Sequence, residues 1–495
     1  MKLHIEPTGV CLLLQPGATN TRRAVLSGFV ILVTSLAQAD QGDWNAYLRG
    51  ASHPSYNPVA TAFTPSSATN LQVDWTFTAA PPTDPGQPDS EFNASPTVSG
   101  GVVYIGANTG VFYAIDESTG SELWHRLLGY TIATTCGMGR GITATATVAA
   151  DASRNDQLTV YVGGGDGYLY ALRASDGAIV WRKRVVDVGT TENRGYIWGS
   201  PTVVNGHVYI GISSQCDHPL IRGGVRDFDQ ASGALLHTYF TVPRGSIGGS
   251  VWTTPAAEGT SVWATIGNAD ETSTQQIGDC FAIVRLDATS FKRVDRWIVT
   301  PSLVGTDFDW GSSPVLFDAI IGGSTTRMVG AANKNGKFYA FKADDLASGP
   351  KWRKKLGAPS GDFRNKGSFI AAAIWDFNNN RLFVASNYTH LGGVAAAGSV
   401  RQLNPSTGAI IWETPLSGGP VMGTPTLSAG GVIAAGTYDI PTPTANRVYL
   451  LNASNGAIVN AIQEDALIFS QPVFADTHLF IATTSGQLTA YSIAP

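Results

Sequence analysis

One short pattern recurs along the chain. A β-rich stretch is followed by a turn that closes on glycine, and a tryptophan stands four residues later. It reads Val103-Tyr104-Ile105-Gly106, Gly110-Val111-Phe112-Tyr113-Ala114, Thr119-Gly120 and Trp124 in one unit. The next has Val160-Tyr161-Val162-Gly163, Gly167-Tyr168-Leu169-Tyr170-Ala171, Asp176-Gly177 and Trp181. Weaker copies continue through Gly233 and His237, Trp297, Trp352, Gly408 and Trp412, and Gly456 and Asn460. A last copy runs Leu479-Phe480-Ile481-Ala482 to Gly486-Gln487-Leu488-Thr489-Ala490-Tyr491. Repetition at a fixed period means that each unit buries its faces only against its neighbours, which sets the architecture before any single residue is considered.

Within a unit, β-branched and aromatic residues alternate with turn glycines, which is strand periodicity rather than helix periodicity. A further short strand is announced before most units by Ser95-Pro96, Ser200-Pro201, Thr254-Pro255, Ser313-Pro314 and Thr424-Pro425. Four strands in roughly 50–60 residues make a propeller blade. The expectation is an all-β chain with an eight-bladed β-propeller spanning 40–495. The eighth unit lacks its outer strand, while Leu71-Gln72-Val73-Asp74-Trp75 has that strand and no blade of its own. It is expected to pair with the last blade and close the ring, removing an open edge. Tryptophans 124, 181, 297, 352 and 412 are expected to wedge between blades and to carry no chemistry.

The first 39 residues predict an export signal: Arg22-Arg23, an apolar run from Ala24, and the small-residue exit Ala37-Gln38-Ala39. That places the remainder in the periplasm or outside the cell, by the general or the twin-arginine route. The apolar run is too short for a comfortable membrane span, and no later stretch is long enough. With 32 basic against 37 acidic side chains, a net charge of −5 argues against a nucleic-acid partner. No Gly-x-Gly-x-x-Gly stands between a strand and a helix, and Gly163-Gly164-Gly165-Asp166-Gly167 reads as a hairpin turn, so a nucleotide cofactor is not expected. There is no Cys-x-x-Cys-His for covalent haem. Of the three cysteines beyond residue 39, Cys216 and Cys280 are the expected bridge.

The unit resembles the tryptophan-docking repeat of the pyrroloquinoline quinone (PQQ) enzymes, the quinoprotein alcohol dehydrogenases and their polyvinyl-alcohol-dehydrogenase-like branch, here without a haem c domain. The resemblance covers about residues 44–495, and irregular segments extend it. Gly139-Arg140-Gly141-Ile142 is similar to the segment whose arginine contacts the quinone carboxylates. Gly249-Ser250-Val251-Trp252-Thr253-Thr254 resembles the one whose tryptophan stacks beneath the quinone. Ile266-Gly267-Asn268 resembles the segment whose amide oxygen binds Ca²⁺. Asp307-Phe308-Asp309-Trp310 resembles the signature whose carboxylate is the catalytic base, matched by Asp309, also a metal ligand. Asn333-Lys334-Asn335-Gly336 resembles the segment whose cation reaches the quinone oxygens, and Asn387 matches a further quinone contact.

Two departures stand out. The adjacent cysteines of the family are missing, because Cys136 is followed by Gly137. The calcium-binding glutamate is replaced by Gln215-Cys216-Asp217, so Asp217 is the carboxylate nearest to its place. The resemblance implies an exported dehydrogenase that oxidises a small or polymeric alcohol with PQQ and Ca²⁺ and passes electrons to a separate acceptor such as a cytochrome c. The alternative is a non-catalytic propeller that binds protein or polysaccharide, as outer-membrane assembly propellers with similar repeats do.

Overall fold

The computed structural model describes residues 42–131, 139–189, 195–217, 219–270, 277–299, 307–361, 366–464 and 466–495. The expected export signal and Cys136 lie outside them. Eight antiparallel sheets make the eight blades, at 97–127, 147–184, 202–240, 256–298, 315–355, 374–416, 426–463, and 473–493 with Leu71–Thr78. An extra hairpin, Thr389–Leu391 with Val394–Ala396, projects from blade 6.

Burial follows strand position. In blade 1 the two middle strands, Val102–Gly106 and Val111–Asp116, are buried along almost their whole length. They lie between two neighbouring blades, so both faces are dry and the sequence reads as an apolar run. The outer strand Glu122–Leu127 is mostly exposed, and its main inward commitment is Trp124. The indole lies against Gly177 of the next blade and donates from Nε1 to the Ala174 carbonyl at 2.9 Å. Trp181 and Trp352 repeat this, with Nε1 on the carbonyls of Gln230 at 3.1 Å and Pro405 at 2.8 Å. A buried indole hides ~200 Å², worth about 5 kcal/mol at most by area. The docking glycine is required twice over. At Gly120 the backbone is left-handed, φ +69, and a Cβ would stand 2.6 Å from the Trp75 ring.

Trp75 belongs to the closing strand. Leu71–Thr78 pairs with Gln487–Ile493 from Leu71 opposite Ile493 to Thr78 opposite Gln487, and Trp75 Nε1 donates to the Glu117 carbonyl of blade 1 at 2.8 Å. The ring is closed as expected, and its first tryptophan docks like the others. Where the repeat loses its tryptophan, the partner changes with it. His237 stacks on Phe291, centroids 5.7 Å apart, and Asn460 donates to the Ala68 carbonyl at 2.9 Å.

One expectation fails. Cys280 is a buried thiol, pushed up to about 12 by burial, while Cys216 is disulfide-bonded, so the two are not bridged to each other. Cys280 sits among Val242, Ala269 and Phe281 in an apolar cluster under blade 4. A count of three cysteines carries no information about which two meet.

Candidate functional site

In an antiparallel four-stranded blade, the link from second to third strand and the link to the next blade emerge at the same edge. All the irregular segments singled out above lie on these links, and therefore on one face of the ring. Those that carry Arg140, Asp217, Trp252, Asp309 and Lys334 surround an axial cavity of about 480 Å³.

The waist of this cavity is a belt of side chains at the start of each innermost strand. The backbone N–H of Ser95 donates to Thr145 Oγ1, Thr145 to Ser200 Oγ, Ser200 to Thr254 Oγ1 and Thr254 to Ser313 Oγ, at 2.9–3.0 Å. Ala372 donates to Thr424 Oγ1 at 3.0 Å and Gln471 to Ser95 Oγ at 2.8 Å. Each hydroxyl satisfies the first amide of the neighbouring blade, where no sheet partner exists. The residues two before each belt position form the wall above. Asn93, Thr143, Trp198 and Trp252 line one half of the ring, and Gly311, Ile370, Met422 and Phe469 the other.

Trp252 Nε1 donates to Asp309 Oδ2 at 3.0 Å. Lys334 Nζ lies 2.8 Å from Asp309 Oδ1, 2.6 Å from Asp307 Oδ1, and 5.0 Å from the Trp252 ring centroid. The Asn268 amide nitrogen donates to Asp217 Oδ2 at 3.0 Å and Asp307 Oδ1 at 2.8 Å. Asp217, Trp252, Asn268, Asp307, Asp309 and Lys334 thus form one continuous network from blades 3, 4 and 5. Arg140 stands beside it, its guanidinium carbon 5.0 Å from the Trp198 ring centroid.

Electrostatics set the protonation states. Burial raises the Asp309 carboxyl to about 7; Lys334 opposes the rise, and the carboxylates of Asp307 and Asp217 add to it. For Lys334, burial favours the neutral amine, but the carboxylates of Asp309 and Asp307 outweigh it and hold the ammonium above its ordinary range. Within the hydrogen-bonded network Lys334 is one cation against the carboxyl groups of Asp217, Asp307 and Asp309, an excess of acidic oxygens that a bound cation relieves.

The donors suit a hard cation. Asn268 Oδ1 is buried with no hydrogen-bond partner among the described residues. A half-turn of the amide would present that oxygen to Asp217 and Asp307, giving the oxygen-only donors Ca²⁺ takes. Among the described residues no three His, Cys, Asp or Glu side chains converge as a finished metal cage. A flat quinone carrying carboxylates also fits: the Trp252 indole offers a platform, and Arg140 and Lys334 supply the opposing charge.

Arg140, Asp217, Trp252, Asp309 and Lys334 line the cavity, and Asn268 adjoins it through Asp217. Asn387 is placed elsewhere. It is fully buried, its amide nitrogen donates to the carbonyls of Ala358 at 3.1 Å and Gly367 at 2.9 Å, and it is not among the described residues lining the cavity. Two lining residues escaped the sequence reading. Asp307 was read only as part of a signature. Trp198 donates from Nε1 to the carbonyls of Ser214 and Gln215, both at 3.1 Å. Its signal was available, because Trp198-Gly199-Ser200-Pro201 has the spacing of Trp252-Thr253-Thr254-Pro255.

Residues 44–274 match the family described as the β-propeller domain of glucose, ethanol and alcohol dehydrogenases, the PQQ domain. Residues 396–494 match the outer membrane protein assembly factor BamB family. The dehydrogenase subunit of the quinone alcohol dehydrogenase of Gluconacetobacter polyoxogenes is 28% identical over 61% of the chain and 44% of its own length. Polyvinylalcohol dehydrogenase of a Pseudomonas species is 22% identical over 63% and 50%. The quinohemoprotein alcohol dehydrogenase of Comamonas testosteroni shares the fold, with TM-score 0.68 at 17% identity over 91% of this chain and 80% of that one. The chain matches only a quarter to a half of the length of such curated relatives. Among the described residues no helix is long and apolar enough to cross a membrane.

Proposed function

We propose that this chain, whose propeller carries a PQQ domain, is an exported PQQ-dependent dehydrogenase that oxidises an alcohol to its carbonyl. Trp252 and Asn268, with Arg140, Asp217, Asp309 and Lys334, are its site. The observation supporting this reading most strongly is that an indole platform, a buried carboxylate and two cations meet at one axial cavity. A scaffold has no use for that combination.

When bound, PQQ supplies acceptance of two electrons and Ca²⁺ polarises it. Trp252 supports the flat ring, and Arg140 and Lys334 balance its carboxylates. Asn268 and Asp217, with Asp309 and Asp307, hold the cation. Asp309 takes the hydroxyl proton of the alcohol, held in place for it by the Trp252 N–H and the Lys334 ammonium. The Trp252 N–H fixes Asp309 Oδ2 and leaves the group one orientation. The alcohol loses two electrons and two protons to become a carbonyl. Electrons leave to a separate acceptor such as a cytochrome c, in the periplasm or outside the cell.

The match of residues 396–494 to the assembly-factor family favours a second reading, a propeller that binds protein or polysaccharide. The two separate in one experiment. Purified protein is titrated with PQQ and Ca²⁺ by visible absorbance and calorimetry, then assayed with an artificial acceptor across small and polymeric alcohols. Quinone binding with turnover supports the dehydrogenase; absence of quinone binding leaves the scaffold.

A further inference from the structure

The segment 42–57 makes one full turn around the propeller axis. The Gly42 carbonyl accepts from Asp476 of blade 8 at 3.1 Å, and Trp44 exchanges both backbone bonds with Val98 of blade 1 at 2.9 and 3.0 Å. Asn45 then accepts from Val148, Ala51 from Ala257, Ser52 from Leu316, Pro54 from Trp375 and Ser55 from Leu427, at 2.8–3.1 Å. These visit blades 2, 4, 5, 6 and 7 in order. Asn57 returns to blade 8, where its amide nitrogen donates to the Phe474 carbonyl at 2.9 Å and to the Gly42 carbonyl at 2.8 Å. The end of the turn is tied to its start. Six of the donors are the third residue beyond a belt position, so one repeat position of the innermost strands is satisfied from one peptide.

The turn sits away from the mouth. Ser99, the last residue of the first strand of blade 1, donates to Asp43 Oδ2 at 2.9 Å, and the link that follows it is on the opposite face from the site. Leu48, Arg49, His53 and Ser55 are held at φ of 54, 59, 63 and 50, left-handed backbone that ordinary side chains avoid. Buried Leu48, the His53 Nδ1–H on the Pro314 carbonyl and the Ser55 hydroxyl on the Pro425 carbonyl hold it there. Opposite blade 3 the turn leaves the strands, and a space of about 70 Å³ opens beside Thr202 and Val203. There Tyr47 turns inward. Its hydroxyl reaches the side chains of Ser313 and Thr424, on either side of Ala372, the one belt position with no side-chain polar group, and it lines the cavity.

We propose that residues 42–57 are an inner hoop that clasps the innermost strands, and that Tyr47 is the positioning residue that forms the floor of the cofactor cavity. The hoop makes the cavity blind, so ligands enter and leave at the mouth. The part played by Tyr47 towards PQQ rests on the cofactor reading above; the clasp does not.

Two arms test this. In hydrogen exchange read by mass spectrometry, Asn57→Ala is expected to speed exchange of the innermost strands about tenfold while the middle strands keep wild-type rates. Wild-type rates at the innermost strands would overturn the clasp. If Asn57→Ala does not accumulate, exchange of the wild type in mild denaturant decides, because a clasp and the strands it holds must open together; independent opening overturns it. In the second arm PQQ is titrated with Ca²⁺ by absorbance. Tyr47→Ala is expected to weaken binding by the folded fraction about tenfold, and Tyr47→Phe, which keeps the ring, to restore most of it. Wild-type affinity in Tyr47→Ala would overturn the floor. A wild type that takes no PQQ defeats the cofactor reading and the role of Tyr47 towards it, and the exchange arm still judges the hoop.

Discussion

The Trp252 indole N–H and the Asp309 carboxylate are joined at 3.0 Å, so the platform for a flat ring and the base beside it are one rigid unit. Replacing the carboxylate alone separates their roles. Asp309→Asn keeps the shape and an acceptor for the indole but cannot take a proton. Turnover is expected to fall by about 10²–10⁴ while PQQ titrates as in the wild type. Full turnover in steady-state assays would remove Asp309 from the chemistry.

Asn268 carries a buried amide oxygen with no hydrogen-bond partner among the described residues, beside the Asp217 and Asp307 carboxylates. Asn268→Ala deletes that oxygen and leaves Asp217 and Asp307 facing each other without a separator. Apparent Ca²⁺ affinity, read by calorimetry on the PQQ-loaded protein, is expected to drop roughly 10–100-fold. An unchanged Ca²⁺ isotherm would mean that the cation is held elsewhere.

Gly408 carries the Trp352 ring. Its φ is +68 and a Cβ would stand 2.4 Å from the indole. Gly408→Ala combines a strained backbone with an overpacked contact, and is expected to lose about 2–4 kcal/mol. Scanning calorimetry should show a lower midpoint, while PQQ affinity of the folded fraction is unchanged.

The repeat that predicts this loss was legible because docking needs the same pair in blade after blade: a glycine with room for an indole, and the indole. Blade number and ring closure through Trp75 follow from it, whereas Arg140, Trp252, Asp309 and Lys334 stand in irregular segments outside the repeat and were legible only through their resemblance to the quinoprotein segments. The hoop was not legible. It binds through carbonyls, which every residue has, and its left-handed residues are a leucine, an arginine, a histidine and a serine, without a shared pattern. Asn387 was expected from the resemblance alone; its amide nitrogen is spent on two backbone carbonyls and it stands off the cavity. Trp198 was equally legible, because it stands two residues before Ser200-Pro201 as Trp252 stands two before Thr254-Pro255.

His53 is buried in the hoop, and burial lowers its pKa to about 4 from 6.5, against the opposing hydrogen bond to Pro314. The unfolded chain therefore takes up this proton first. Stability from the neutral ring is complete above pH ~6.5 and is lost as pH falls towards ~4, by about 3 kcal/mol for this group. Urea midpoints measured from pH 7 to 4 should fall, and His53→Gln, which cannot charge, should flatten part of that fall. Equal slopes in both proteins would show that other groups govern acid sensitivity.

The pairing of Leu71 with Ile493 has a consequence for biosynthesis. A nascent chain threading outward from its first residues offers Leu71–Thr78 to solvent long before the complementary strand has been made. Until Gln487–Ile493 arrives, that strand is a sticky ribbon with both rows of amides open. A chain cut short before Gln487 would keep seven finished blades, and its main hazard would be recruitment of its siblings through that ribbon.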